Sequence, residues 1–157
     1  MWFSRKQVAK TPAVGGAGAA GAGAGADHPP GQITTKRLGD AAESLARAHL
    51  LRAGLKPLEA NYRTPGRGGG EVDLIMRAPD GTLVFVEVRQ RSSRSHGGAG
   101  ASIGAIKQRR IVFAARHYLM RFATPPPCRF DVVLVEGAAG MPGGITVEWL
   151  RSAFDAE

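Results

Sequence analysis

Two apolar runs, Glu71–Arg77 and Thr82–Arg89, are separated only by Ala78-Pro79-Asp80-Gly81. That punctuation constrains the fold more than any other part of the chain. Proline presets φ at the first corner of a type I turn, and glycine accepts the left-handed bulge position that follows. The two runs are therefore expected to pair as an antiparallel hairpin with Ala78 opposite Thr82. In that register Ile75 faces Phe85, Asp73 faces Glu87 and Glu71 faces Arg89. Alternation puts Val72, Leu74 and Met76 on one face of the first strand and Glu71, Asp73 and Ile75 on the other. On the second strand Val84, Val86 and Val88 oppose Phe85, Glu87 and Arg89.

Directly opposed side chains have Cβ atoms about 4.5–5.5 Å apart. Two carboxylates at that separation repel, unless one is protonated, a cation intervenes or a divalent metal bridges them. A shifted register would instead leave both acids as ordinary solvent-facing strand residues. Oxygen-only ligands suit Mg²⁺ or Mn²⁺ better than zinc. Between Val88 and Phe130 the chain carries nine Lys or Arg and no carboxylate. Acids that hold a metal, flanked by cations that hold a backbone, are what phosphodiester cleavage needs. Arg91, Arg94, Lys107, Arg109, Arg110 and Arg116 are the candidate nucleic-acid-binding cations.

The remaining sequence sets the frame around this hairpin. The chain has 157 residues and a net charge of +8. Residues 13–26 are seven Ala, six Gly and one Val, too little side chain to build a core. Residues 1–32 are read as a disordered Gly/Ala-rich extension and 33–157 as one folded domain. The extension holds three cations and one anion, so the domain keeps +6, which favours a polyanionic partner. One cysteine, Cys128, excludes an internal disulfide framework and fits a reducing, cytoplasmic setting. No run approaches the roughly 20 apolar residues of a membrane span, and no apolar run follows the first cations as a secretory signal would require.

Within the domain a helix is expected over 36–53, capped by Thr34 or Thr35 and ended by Gly54. Its apolar arc reads Leu38, Ala41, Ala42, Leu45, His49 and Ala53, with Glu43 at the edge beside Ala46 and Leu50. A strand over 57–63, the hairpin, a helix over 103–122 and strands over 129–135 and 145–150 follow. A short carboxy-terminal helix is also allowed. The second helix should bury Ile111, Ala115, Tyr118 and Phe122 before Pro125-Pro126-Pro127 stops it. The order αβββαββ specifies an α/β domain, a mixed central sheet flanked by helices. Gly66–Gly70 lacks the Gly-Lys-Ser/Thr ending of a phosphate loop and is read as a flexible flap. The histidines lack metal-ligand spacing, and Cys128 reads as a small, partly buried thiol.

Six motifs in order resemble the YraN family of bacterial proteins. They are Gly39-Asp40-Ala41-Ala42-Glu43, Asn61-Tyr62-Arg63, Gly70-Glu71-Val72-Asp73-Leu74-Ile75, Val84-Phe85-Val86-Glu87-Val88-Arg89-Gln90-Arg91, Lys107-Gln108 and Cys128-Arg129-Phe130-Asp131-Val132. The resemblance spans about 38–150 and implies a restriction-endonuclease-like fold related to Holliday-junction resolvases. It implies that Asp73 and Glu87 bind a metal and that Glu43 adds a third acidic ligand. Homodimers would follow from the same likeness. The superfamily pattern ends Glu-x-Lys, whereas this chain reads Glu87-Val88-Arg89. Arginine cannot give up its proton in a protein, although Arg89 can grip a phosphate oxygen and stabilise developing charge. Lys107, at the border of its helix's apolar stripe, is placed to bring an amine nearby.

The expectation is a Mg²⁺- or Mn²⁺-dependent endonuclease acting on DNA, with branched DNA as a candidate substrate and Asp73, Glu87 and Arg89 as catalytic residues. The alternative is a nucleic-acid-binding module that keeps the fold with little or no catalysis. Membrane binding is disfavoured because the sequence offers no amphipathic helix with a basic face and large apolar anchors.

Overall fold

The structure, a computed structural model, describes residues 35–91, 103–137 and 142–156. The Gly/Ala-rich extension and Arg94 lie outside the described residues. Every described element belongs to one unit, Ile33–Glu157. In chain order the elements are α1 (Thr35–Arg52), β1 (Lys56–Arg63), β2 (Glu71–Arg77), β3 (Leu83–Arg91), α2 (Ala105–Leu119), β4 (Cys128–Glu136) and β5 (Thr146–Phe154). The five strands form one mixed sheet in the order β1-β2-β3-β4-β5, parallel only between β3 and β4. A parallel pair needs a crossover, and α2 supplies it. The fold is α/β, consistent with the restriction-endonuclease-like architecture.

One core lies on each face of the sheet. Ala42, Ala46 and Leu50 of α1 pack on Leu74, Met76, Val84, Val86, Val133 and Val135. Ile111, Val112, Ala114, Ala115 and Tyr118 of α2 pack on Val72, Ile75, Leu83, Phe85, Val132 and Leu134. Leu83–Val86 and Val132–Val135 are buried throughout, as a parallel pair covered on both faces requires. Among the described residues no helix is long and apolar enough to cross a membrane.

The hairpin turn has the geometry its residues dictate. Gly81 has φ +90°, its N–H donates to the Ala78 carbonyl at 2.9 Å, and the Ala78 N–H donates to Thr82 at 2.9 Å. The register follows: Arg77 opposes Leu83, Met76 opposes Val84, Ile75 opposes Phe85 and Leu74 opposes Val86.

Five local expectations need correction. Val72 belongs to the α2-side core and Leu74 to the α1-side core, so the alternation of β2 breaks at Asp73. Opposite that point Asn61 of β1 sits at φ +52°, a local kink that turns both strands. The buried stripe of α1 is Ala42, Ala46 and Leu50, rotated toward Glu43; alanine and leucine occur on several sides of this helix, so periodicity alone left the arc loosely fixed. Residues expected as a terminal helix continue β5 to Phe154, where Phe154 stacks on Phe130 at 5.0 Å. Cys128 is exposed at the start of β4.

The glycine-rich segment is a closed loop rather than a flap. The Thr64 N–H donates to the Gly70 carbonyl at 3.0 Å, and the Gly70 N–H donates to the Thr64 hydroxyl at 2.7 Å. A Cβ on Gly70 would lie 2.2 Å from the Arg110 carbonyl oxygen and 2.5 Å from the Ala114 nitrogen. Only glycine lets the start of β2 approach the α2 backbone this closely.

Candidate active site

At the open end of the hairpin the β2–β3 ladder stops at the Leu74–Val86 pair. The next residue, Asp73, uses its side chain in place of backbone pairing: Oδ2 accepts the Val88 N–H at 2.8 Å. A carboxylate thus bridges the two strands where they part. Glu87 follows Val86 on β3 and is only 8% exposed. Its Oε1 lies 3.2 Å from Lys107 Nζ, and its Oε2 is buried with no hydrogen-bond partner. Leaving a buried carboxylate oxygen unsatisfied is costly.

The electrostatics reflect that cost. Burial first, and then the neighbouring Asp73, push the Glu87 carboxyl up to about 8. Asp73 acts chiefly through its charge, which disfavours a second negative charge on Glu87. Burial and the charges of Asp73 and Asp40 raise Glu43, against a lowering hydrogen bond from Asn61. Lys107 is pulled down by burial, but Glu87, Glu71 and Asp73 outweigh this and leave it raised. It is therefore a firmly held ammonium rather than a base.

Lys107 also lies 3.1 Å from Glu71 Oε1. One ammonium is shared by two carboxylates, so it cannot neutralise the acidic set. Glu71 is further approached by Arg110 at 3.7 Å and Arg63 at 3.8 Å, and the Lys107 hydrogen bond leads the causes that lower its carboxyl. Glu71 is thus built into an ion-pair cluster. Glu43 stands on the side of α1 that turns toward the sheet, and its Oε2 accepts from Asn61 Nδ2 at 3.2 Å.

Among the described residues, no three His, Cys, Asp or Glu side chains form a ready cage for a metal. What the site offers is a carboxylate pair, Asp73 and Glu87, with Glu43 acting on Asp73 from α1. That donor set fits Mg²⁺, which keeps several waters and is commonly held by one or two carboxylates together with substrate phosphate. The buried, unpartnered Glu87 oxygen is the specific feature that a hard cation would satisfy.

The cations read from the sequence fall into separate groups. Lys107 and Arg110 turn toward the acidic cluster. Arg109 and Arg116 line a cavity on the outer side of α2 with Gln108, Val112, Phe113 and Asp155. Arg89 lies two residues beyond Glu87 and is half-buried, and Arg91 ends β3 opposite Glu136. Asp131 is fully buried and bonded to Arg129, Trp149 and the Ser152 N–H, which makes it structural. Asn61, present in the sequence only as part of the Asn61-Tyr62-Arg63 motif, takes a place in the site through its bond to Glu43. Asparagine is several-fold enriched among non-glycine residues at positive φ, and that was the available signal for a kink opposite Asp73.

Comparison with known proteins gives a consistent result. The family described as "Uncharacterised protein family UPF0102" matches residues 42–135. A UPF0102 protein of Polaromonas naphthalenivorans (strain CJ2) is 68% identical over 99% of both chains. Another, from Polaromonas sp. (strain JS666 / ATCC BAA-500), is 65% identical over 99% of both. A third, from Albidiferax ferrireducens, is 65% identical over 78% of this chain and 91% of its own. The matched segment runs from α1 through both hairpin strands and α2 into β4, so it carries Glu43, Asp73, Glu87 and Lys107 together, and the chain belongs to the UPF0102 family of YraN-type proteins.

Proposed function

We propose that the protein is a metal-dependent endonuclease that hydrolyses phosphodiester bonds in DNA, with branched DNA as the candidate substrate. The observation that carries this reading is the buried, unpartnered Glu87 oxygen beside Asp73 at the point where the two strands separate. Asp73 and Glu87 would hold the cation, and Glu43 would add negative charge from α1. A bound Mg²⁺ or Mn²⁺ would polarise the scissile phosphate and acidify water. The Val88 N–H fixes the Asp73 carboxylate, and Lys107 fixes Glu87 by its other oxygen. Arg89, permanently charged, serves as a phosphate clamp rather than a proton acceptor. Lys107 brings to Glu87 the amine that the Glu-x-Lys position lacks, and it arrives from α2. The single exposed thiol favours a reducing, cytoplasmic setting.

A second reading, a nucleic-acid-binding module with little catalysis, is favoured by one observation: Arg stands at position 89 where the superfamily pattern has Lys. One experiment separates them. Purified protein is incubated with linear, flapped and four-way DNA in Mg²⁺ or Mn²⁺, and again in EDTA. Cleavage that needs the metal and disappears in Asp73→Ala supports the nuclease. Cleavage surviving EDTA or Asp73→Ala overturns it. Salt-sensitive binding without cleavage in any metal supports the binding module.

A further inference from the structure

We infer that the outer face of α2 carries a second site, a groove for single-stranded nucleic acid in which Phe113 stacks on a base between two phosphate-binding arginines. The inference rests on the nucleic-acid reading of the protein but not on its catalysis.

The groove encloses a cavity of about 750 Å³ lined by Ala105, Gln108, Arg109, Val112, Phe113, Arg116 and Asp155. Arg109 and Arg116 are seven residues apart, so they lie on one side of the helix, about 10 Å apart along its axis. Phe113 falls between them and is 54% exposed. Lys107 turns to Glu71 and Glu87 on the opposite side of the helix, and Arg110 leans to Glu71, so this face is separate from the acidic centre.

An exposed phenylalanine flanked by arginines is the arrangement that single strands use: cations track the backbone and an aromatic ring stacks on an accessible base. A duplex keeps its bases in the stack and would leave Phe113 without a partner. A second copy of this helix would set the same arginines against one another, which opposes self-association through this face. An anionic membrane would gain from Ile106 and Met120, exposed on the same stripe, but the face is a concave slot.

The test measures binding of a fluorescent single-stranded oligonucleotide and of a hairpin duplex in EDTA across a salt series, by anisotropy. Phe113→Ala should weaken single-strand binding roughly 5- to 100-fold, leave the duplex nearly unaffected, and be rescued by Phe113→Trp. Arg109→Gln and Arg116→Gln should each flatten the logarithmic salt slope by roughly 0.7. Thermal unfolding of each variant shows that the fold is intact. If Phe113→Ala changes neither substrate, or both equally, the groove is not this site, while metal-dependent cleavage by the same variant would leave the nuclease reading standing. A Phe113 effect without any cleavage supports the groove and sinks the nuclease. Binding to no nucleic acid overturns both. Phe113-dependent flotation with anionic vesicles, or a dimer that dissociates in Phe113→Ala, also overturns the inference in favour of those partners.

Discussion

Two buried carboxylates on neighbouring strands, Asp131 and Glu87, live in opposite circumstances. Asp131, on β4, is completely buried and accepts bonds from Arg129 Nε at 3.1 and 3.2 Å, Trp149 Nε1 at 2.9 Å and the Ser152 N–H at 3.0 Å. Glu87, on β3, has one lysine at 3.2 Å on one oxygen and no hydrogen-bond partner on the other. Where a buried charge serves the fold, the chain surrounds it with donors. At Glu87 the donors are withheld, and the cost falls on folding stability rather than on structure. Such a group is available to something that arrives from outside.

Removing Asp131 should produce the largest effect. Asp131→Ala leaves Arg129 and Trp149 without their acceptor and frees the bulge at which Ser152 holds φ +47°. Stability should fall by about 3–5 kcal/mol, read by urea unfolding. A loss below about 1 kcal/mol would erase the contrast between the two acids. Glu87→Gln should behave in the opposite way: the metal-free fold keeps its stability, while stabilisation by Mg²⁺ in thermal unfolding weakens by about 100-fold in apparent affinity. Unchanged Mg²⁺ stabilisation would remove Glu87 from the metal site.

The pH dependence sharpens the same comparison. Glu87 is held near 8 in the folded protein, against about 4.5 when unfolded. The folded state binds the extra proton between those values. Its contribution is fully present below about 4.5 and is lost as pH rises through about 8, by up to about 1.4 kcal/mol per pH unit. Metal-free unfolding midpoints from pH 5 to 9 should show this decline, and Glu87→Gln should flatten it. Mg²⁺ competes with that proton, so its affinity should rise over the same window. The smallest expected effect is at Asn61. Asn61→Gly, which keeps the positive φ, removes one hydrogen bond to Glu43, worth about 1 kcal/mol, and should weaken Mg²⁺ binding roughly fivefold with little change in the fold. Isothermal titration would detect it.

Much of this arrangement was legible in the residues. Pro79-Asp80-Gly81 determined the turn, and the turn determined the register as far as Leu74 opposite Val86, one residue short of Asp73 and Glu87. The ordinary alternation rule then failed at Asp73 itself. It assumes a continuous ladder, whereas here a side chain bonds the Val88 N–H and Asn61 kinks the adjoining strand. The partners of Lys107 were out of reach for a different reason: they depend on how α2 sits over the sheet. That seating is set by contact between Gly70 and the helix backbone, and a glycine's sequence position does not reveal what it touches. The stripe of α1 was misplaced because alanine is compatible with either side of a helix.

The seating of Gly70 carries a mechanical consequence. Where backbone lies against backbone at Gly70, no side chain cushions α2 against the start of β2. Any tilt of the helix must carry the Lys107 ammonium with it, toward or away from Glu87. Arg109 and Arg116 stand on the same helix, so a load on the far side of α2 would reach the acidic pair through it.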